Sequence, residues 1–70
     1  MQTLKDLRIA AGKNQAEIAS KLKVTQTAIC NYETGIRQIN LEQILILCEL
    51  YDVPAEEIIK AQLNSRRITR

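Results

Sequence analysis

Histidine, tryptophan and phenylalanine are absent from this 70-residue chain, and its aromatic content is two tyrosines. Without histidine the chain lacks the usual general base and the commonest transition-metal ligand. Its two cysteines, Cys30 and Cys48, form no CxxC pair, so a disulfide framework or a metal site is not expected. The pattern argues against an enzyme, and no residue set marks out a cofactor or a small-molecule ligand. Two glycines and one proline are too few for a small β-fold, which needs turn residues at roughly every 8 to 12 positions. No run approaches the roughly 18 uninterrupted apolar residues of a membrane span. The amino terminus also lacks the charged-then-apolar order of a secretory leader. These absences predict a cytoplasmic, all-α protein of one small domain.

What is present is aliphatic: leucine and isoleucine together number 18. Around them, a threonine or asparagine followed three positions later by an acid or amide recurs, the mark of a capped helix start. Thr3 with Asp6 opens a first helix carrying Leu4, Leu7 and Ala11, and Gly12 supplies a left-handed stop. Asn14 with Glu17 opens a second, with Ile18, Ala19 and Leu22 inward. Lys23 and Val24 turn the chain, and Thr25 caps a third helix to about Glu33, with Ala28, Ile29 and Tyr32 inward and Gly35 at its end. Asn40 with Gln43 opens a fourth, whose apolar positions are Leu41, Ile44, Leu45, Leu47 and Cys48. Asp52, Val53 and Pro54 break it and start a fifth, with Ile58, Ile59 and Leu63 as its apolar face. The expected layout is a packed domain over residues 1–64 and a flexible basic tail over 65–70.

The net charge of +2 is unevenly spread. Residues 1–37 carry six basic and three acidic side chains, residues 38–59 five acidic and none basic, and residues 60–70 four basic. A basic front and an acidic back suit a chain that turns one face to a polyanion; ordinary solvation equally accounts for any single lysine.

Residues 15–34, QAEIASKLKVTQTAICNYET, decide the functional reading. Two short helices meet through a tight turn, with the small Ala19 where the second must approach the first. That is a helix-turn-helix, in which the second helix stands clear enough to enter the major groove of DNA. Its outward positions hold Gln26, Thr27, Cys30 and Asn31, with no charge before Glu33. A merely solvated helix face usually carries lysine and glutamate, whereas a neutral polar face suits close contact with another polar surface.

Over roughly residues 3 to 60 the chain resembles the lambda-repressor-like family of Cro, phage-repressor and xenobiotic-response-element regulators. The stretches LKDLRIAAGKNQAEIASKL, TQTAICNYETG and NLEQILILCELYDVPAEEII follow that family's five helices in order. The resemblance implies a compact five-helix bundle whose helices 2 and 3 form the helix-turn-helix. It implies a sequence-specific transcriptional regulator, Cro- or repressor-like, bound to a double-stranded DNA operator as a homodimer in a bacterial or phage-infected cell. Base contacts carry over to Gln26, Thr27, Cys30 and Asn31. Contacts with the DNA backbone fall to Lys13, Asn14, Gln15, Thr25, Thr34, Arg37, Gln38 and Asn40, and the resemblance implies that Gln15 also braces the third helix. Arg8 and Glu33 match an architectural salt bridge, and Ile58, Ile59 and Leu63 are the candidate dimer interface or, equally, cover for the monomer core. Lys23 and Asp52 stand where glycine is usual, and Lys13 where an apolar residue is common.

The residue chemistry agrees with this. Glutamine or asparagine can pair bidentately with adenine, and a threonine methyl can pack on a thymine methyl, at roughly 1–3 kcal/mol of discrimination per good pair. No arginine or lysine lies on the third helix, so the common guanine contact is missing and A·T-rich half-sites are expected. Cys30 is read as a small contact residue, with an oxidation-sensitive thiol as the alternative. Arg66, Arg67 and Arg70 either reach along DNA or keep the end soluble. The rival function, from a different class, is a protein-interaction module such as an antitoxin or anti-repressor partner, served by the acidic stretch 38–59.

Overall fold

Four of the five helices begin where a side-chain oxygen takes a free backbone N–H. The computed structural model describes residues 2–68, with side chains described through Arg66. The helices are α1 (Leu4–Ala10), α2 (Gln15–Leu22), α3 (Gln26–Glu33), α4 (Leu41–Tyr51) and α5 (Ala55–Ile68). Thr3, Asn14 and Asn40 each form a full reciprocal capping box, with Asp6, Glu17 and Gln43. Thr25 caps α3 by accepting from the Ala28 N–H at 3.1 Å. The backbone N–H of Thr3, donated to Asp6, is the main reason that the Asp6 carboxyl titrates below its ordinary value. Gly12 at φ +72° and Gly35 at φ +81° end α1 and α3 in the left-handed region, where a residue without Cβ is unstrained. The Pro54 carbonyl accepts from Glu57 and Ile58 at the start of α5.

Packing then follows the inward stripes. Leu4 and Leu7 of α1, Ile18 and Leu22 of α2, and Ile29 and Tyr32 of α3 are buried together with Ile44, Leu47 and Tyr51 of α4. α5 lies against α1, α3 and α4, and α2 packs on α3. The body measures 27 × 24 × 22 Å. Among the described residues there is no strand, and no helix is long and apolar enough to cross a membrane.

Three expectations change. Ile58 is wholly buried at 0% exposure, while Ile59 and Leu63 stand open to solvent. The three therefore form no single face: the inward positions of α5 are Ile58, Ala61 and Ser65, and Ile58 has no surface left for a partner. On α4, the apolar positions expected of the sequence do not share one face: Leu41 and Leu45 are 80% and 65% exposed. The inward arc of that helix is already filled by Ile44, Leu47 and Tyr51, with Cys48 half-buried beside them. Finally, the helix does not end at residue 64. Ser65 is 1% exposed, and its hydroxyl accepts from the Leu4 N–H at 3.1 Å and donates to the Ala61 carbonyl at 2.8 Å. Asn64 donates to the Gln2 carbonyl at 2.7 Å. The last turns of α5 thus satisfy backbone groups at the open start of α1, which is why they stay helical and packed. The exposed Arg66 lies within that helix; the Arg67 side chain and Arg70 fall outside the described residues.

Candidate nucleic-acid interface

The joint between α2 and α3 is a single left-handed residue. Lys23 sits at φ 59°, ψ 44°, and its N–H returns to the carbonyls of Ala19 and Ser20. The Val24 N–H closes the turn on the Ala19 carbonyl at 3.0 Å. Ala19 is buried, and its small side chain lets the two helices meet. α3 is anchored through Ala28, Ile29 and Tyr32, with the Tyr32 hydroxyl accepting from the buried Gln43 amide at 3.1 Å. Its opposite side is open: Gln26, Thr27 and Cys30 are exposed and Asn31 half-exposed. Glu33, the only charged residue of α3, points the other way, so the helix presents a neutral polar rim.

Glu33 turns inward because Arg8 holds it. The Arg8 Nε lies 2.6 Å from Glu33 Oε2, and Nη2 donates to Oε1 at 3.2 Å, a forked pairing whose side chains are 11% and 6% exposed. Arg8 Nη1 also donates to the Lys13 carbonyl at 3.1 Å, tying α1, the loop before α2 and the end of α3 into one unit. The hydrogen bonds to Glu33 are the largest cause of the raised Arg8 pKa. Nearby, burial pushes the Tyr51 phenol above its usual range; the Glu33 charge adds to that and Arg8 opposes it. Glu33 Oε1 accepts a further bond, from Gln15 Nε2 at 3.0 Å, and Gln15 Oε1 accepts from Gln26 Nε2 at 3.4 Å. An unbroken line of polar contacts thus runs from α1 to the first residue of α3.

The other candidate positions divide by what already occupies them. Asn14, Thr25 and Asn40 are exposed, but their side-chain oxygens are used as caps. The Thr34 hydroxyl donates to the Cys30 carbonyl at 2.9 Å. Lys13 is half-exposed ahead of α2, and Arg37 and Gln38 are exposed after α3. The N–H groups of Ile36 and Arg37 fold back on the Asn31 carbonyl, which sets Arg37 beside the end of α3. Gln15, Gln26, Asn31, Thr34 and Arg37 are therefore gathered around α3, whereas Gln38 and Asn40 lie further along, on the approach to α4.

The resemblance implied that Gln15 braces the third helix, and its bonds to Glu33 and Gln26 do so; sequence reasoning missed the Gln43–Tyr32 bond and the role of Ser65. A continuing inward series, Ile58, Ala61, Ser65, was the available signal for the last of these.

The profile of the helix-turn-helix family matches residues 4–58. Among curated proteins, the cryptic phage CTXphi transcriptional repressor RstR of Vibrio cholerae is 32% identical over 56 residues, covering 80% of this chain and 50% of that protein. The chain thus spans about half the length of the relative that it matches. No solved structure matches it significantly.

Proposed function

The chain belongs to the helix-turn-helix family of the lambda-repressor and Cro type, and from that membership we propose that it is a sequence-specific transcriptional regulator that inserts α3 into the major groove of operator half-sites. The observation that carries this is the neutral rim of α3, held clear of the body while the sole charge of the helix is drawn into an internal ion pair. Gln26 and Asn31 are assigned adenine edges, Thr27 a thymine methyl and Cys30 a close apolar contact. Lys13, Asn14, Gln15, Thr25, Thr34, Arg37, Gln38 and Asn40 are assigned the phosphates, which fix register without reading sequence. The relative's printed description as a phage transcriptional repressor supports repression as the direction of control.

One such unit makes few base contacts, so a homodimer on two half-sites about one helical turn apart is proposed. The outward Ile59 and Leu63 of α5 and Leu41 and Leu45 of α4 supply exposed apolar surface for it.

Selection of bound sequences from random duplex DNA tests the reading. A·T pairs are expected at the contacted half-positions, with Gln26→Ala and Asn31→Ala each relaxing preference at one of them. A selection returning only G·C-rich half-sites, or profiles unchanged by both substitutions, refutes it. Affinity should also fall steeply with salt as counterions are released; a nearly flat dependence would favour a protein-binding module instead.

A further inference from the structure

Between α3 and α4 the chain passes the exposed Arg37 and Gln38, and its backbone N–H groups are taken up by three different helices. Those of Ile36 and Arg37 donate to the Asn31 carbonyl of α3 at 2.9 and 3.2 Å. That of Asn40 donates to Gln43 Oε1 of α4 at 3.0 Å, and the other end of the same amide donates to the Tyr32 hydroxyl. That of Ile39 crosses to α5, where it donates to Gln62 Oε1 at 2.7 Å. The bonds to Asn31 and Gln43 are local and follow from how α3 ends and α4 begins. The bond to Gln62 joins positions 23 apart and is the shortest of the four. Ile39 is 6% exposed, so its N–H has little access to water and needs a protein acceptor. Gln62 supplies one from a helix that is otherwise remote in the chain.

We propose that Gln62 is a positioning residue for phosphate binding: by holding the Ile39 N–H it fixes where Arg37 stands relative to α3. This rests on the reading that Arg37 meets a phosphate. With Gln62 in place, the segment is pinned before Arg37 by α3 and after it by α5. Pinned on one side only, Arg37 divides its time between phosphate and solvent, and binding releases fewer counterions. Phosphate contacts carry no sequence information, so the effect falls on affinity for every site alike and leaves base preference as it was.

The test measures affinity for the selected operator against salt, together with sedimentation, for four variants and the parent. Arg37→Ala is expected to weaken binding and to reduce the slope of log affinity against log salt by about one. Gln62→Met keeps the length of the side chain and removes its oxygen; Gln62→Asn keeps the amide and draws it back by one methylene. Each is expected to lower affinity about three- to tenfold, with a shallower slope and unchanged sedimentation. In the Arg37→Ala/Gln62→Met double variant, the glutamine change should cost less than about twofold more, because its beneficiary is gone. Leu47→Ala destabilises the core without touching this segment and is expected to leave the slope unaltered.

The proposal is overturned if both glutamine variants bind within about twofold of the parent, if the losses add in the double variant, or if Leu47→Ala flattens the slope as much. It is equally overturned if the lost affinity tracks a shift of sedimentation toward the monomer, which would place Gln62 in self-association with its neighbours Ile59 and Leu63. If Arg37→Ala changes neither affinity nor slope, phosphate contact by Arg37 fails and the proposal with it; if Arg37→Ala lowers both and the glutamine variants do not, only the positioning role fails.

Discussion

Lys23 and Asp52 occupy the left-handed region at φ 59° and 56°, where a lysine gains nothing from its side chain and an aspartate can bond locally. Lys23→Gly should therefore raise the melting temperature by about 2–4 °C, a net gain of about 0.5 kcal/mol after the extra freedom glycine gives the unfolded chain. Asp52→Gly should change it less; thermal melts of the two variants decide the order. Arg8 and Glu33 form the other residue-level test. Removing either alone strands a charge out of water and should cost about 3–5 kcal/mol, whereas replacing both with apolar side chains should cost far less. Chemical denaturation of the two singles and the double closes that cycle, and additive losses would contradict the assigned pairing. Tyr51 reports on pH. Its folded pKa is raised above 10, so its contribution to stability is whole below the free-phenol value and is lost as pH rises beyond it. Tyr51→Phe should extend the alkaline limit of stability, measured as the unfolding midpoint against pH above 10.

Among the helices, α5 carries the sharpest prediction. Ser65→Ala removes the acceptor for the Leu4 N–H, at an expected cost of about 1–3 kcal/mol for the stranded donor, read from urea denaturation; truncation after Asn64 should cost more. A Ser65→Ala variant as stable as the parent would show that the bond is dispensable. The same helix marks where the sequence stops being legible. Capped starts are local: Thr3, Asn14 and Asn40 declare themselves within four residues, and each stands where expected. The inward stripes of α2 and α3 were equally readable, because short helices have few ways to bury three apolar positions. For Ser65 only the inward position was legible, from the series Ile58, Ala61, Ser65; its bond was not, since the partner lies 61 positions away. Leu41 and Leu45 misled for the opposite reason: the apolar residues of α4, Leu41, Ile44, Leu45, Ile46, Leu47 and Leu50, fall on more of the helix than the core can cover, so the pattern alone does not reveal which of them face out. For the interface, residue types on α3 could be read directly, but the order Glu33–Gln15–Gln26 exists only once α2 and α3 are packed together.

Taken as one body, the domain exposes Ile59, Leu63, Leu41 and Leu45 and keeps its core from needing any of them. Leu63→Glu should consequently leave the melting temperature intact while shifting sedimentation toward the monomer. It should also lower operator affinity about tenfold or more, 1.4 kcal/mol at least; a variant that still sediments as a dimer and binds as before would place self-association elsewhere. The pairing of Asn64 with Gln2, a separation of 62 residues, has a different consequence. Contacts between α2 and α3 join near neighbours in the chain, whereas this clasp and the Ser65–Leu4 bond enclose nearly all of it and gain nothing until the rest is in place. A stretching force applied at the two ends would load those bonds first and peel α1 from α5, leaving the turn at Lys23 among the last places to feel tension.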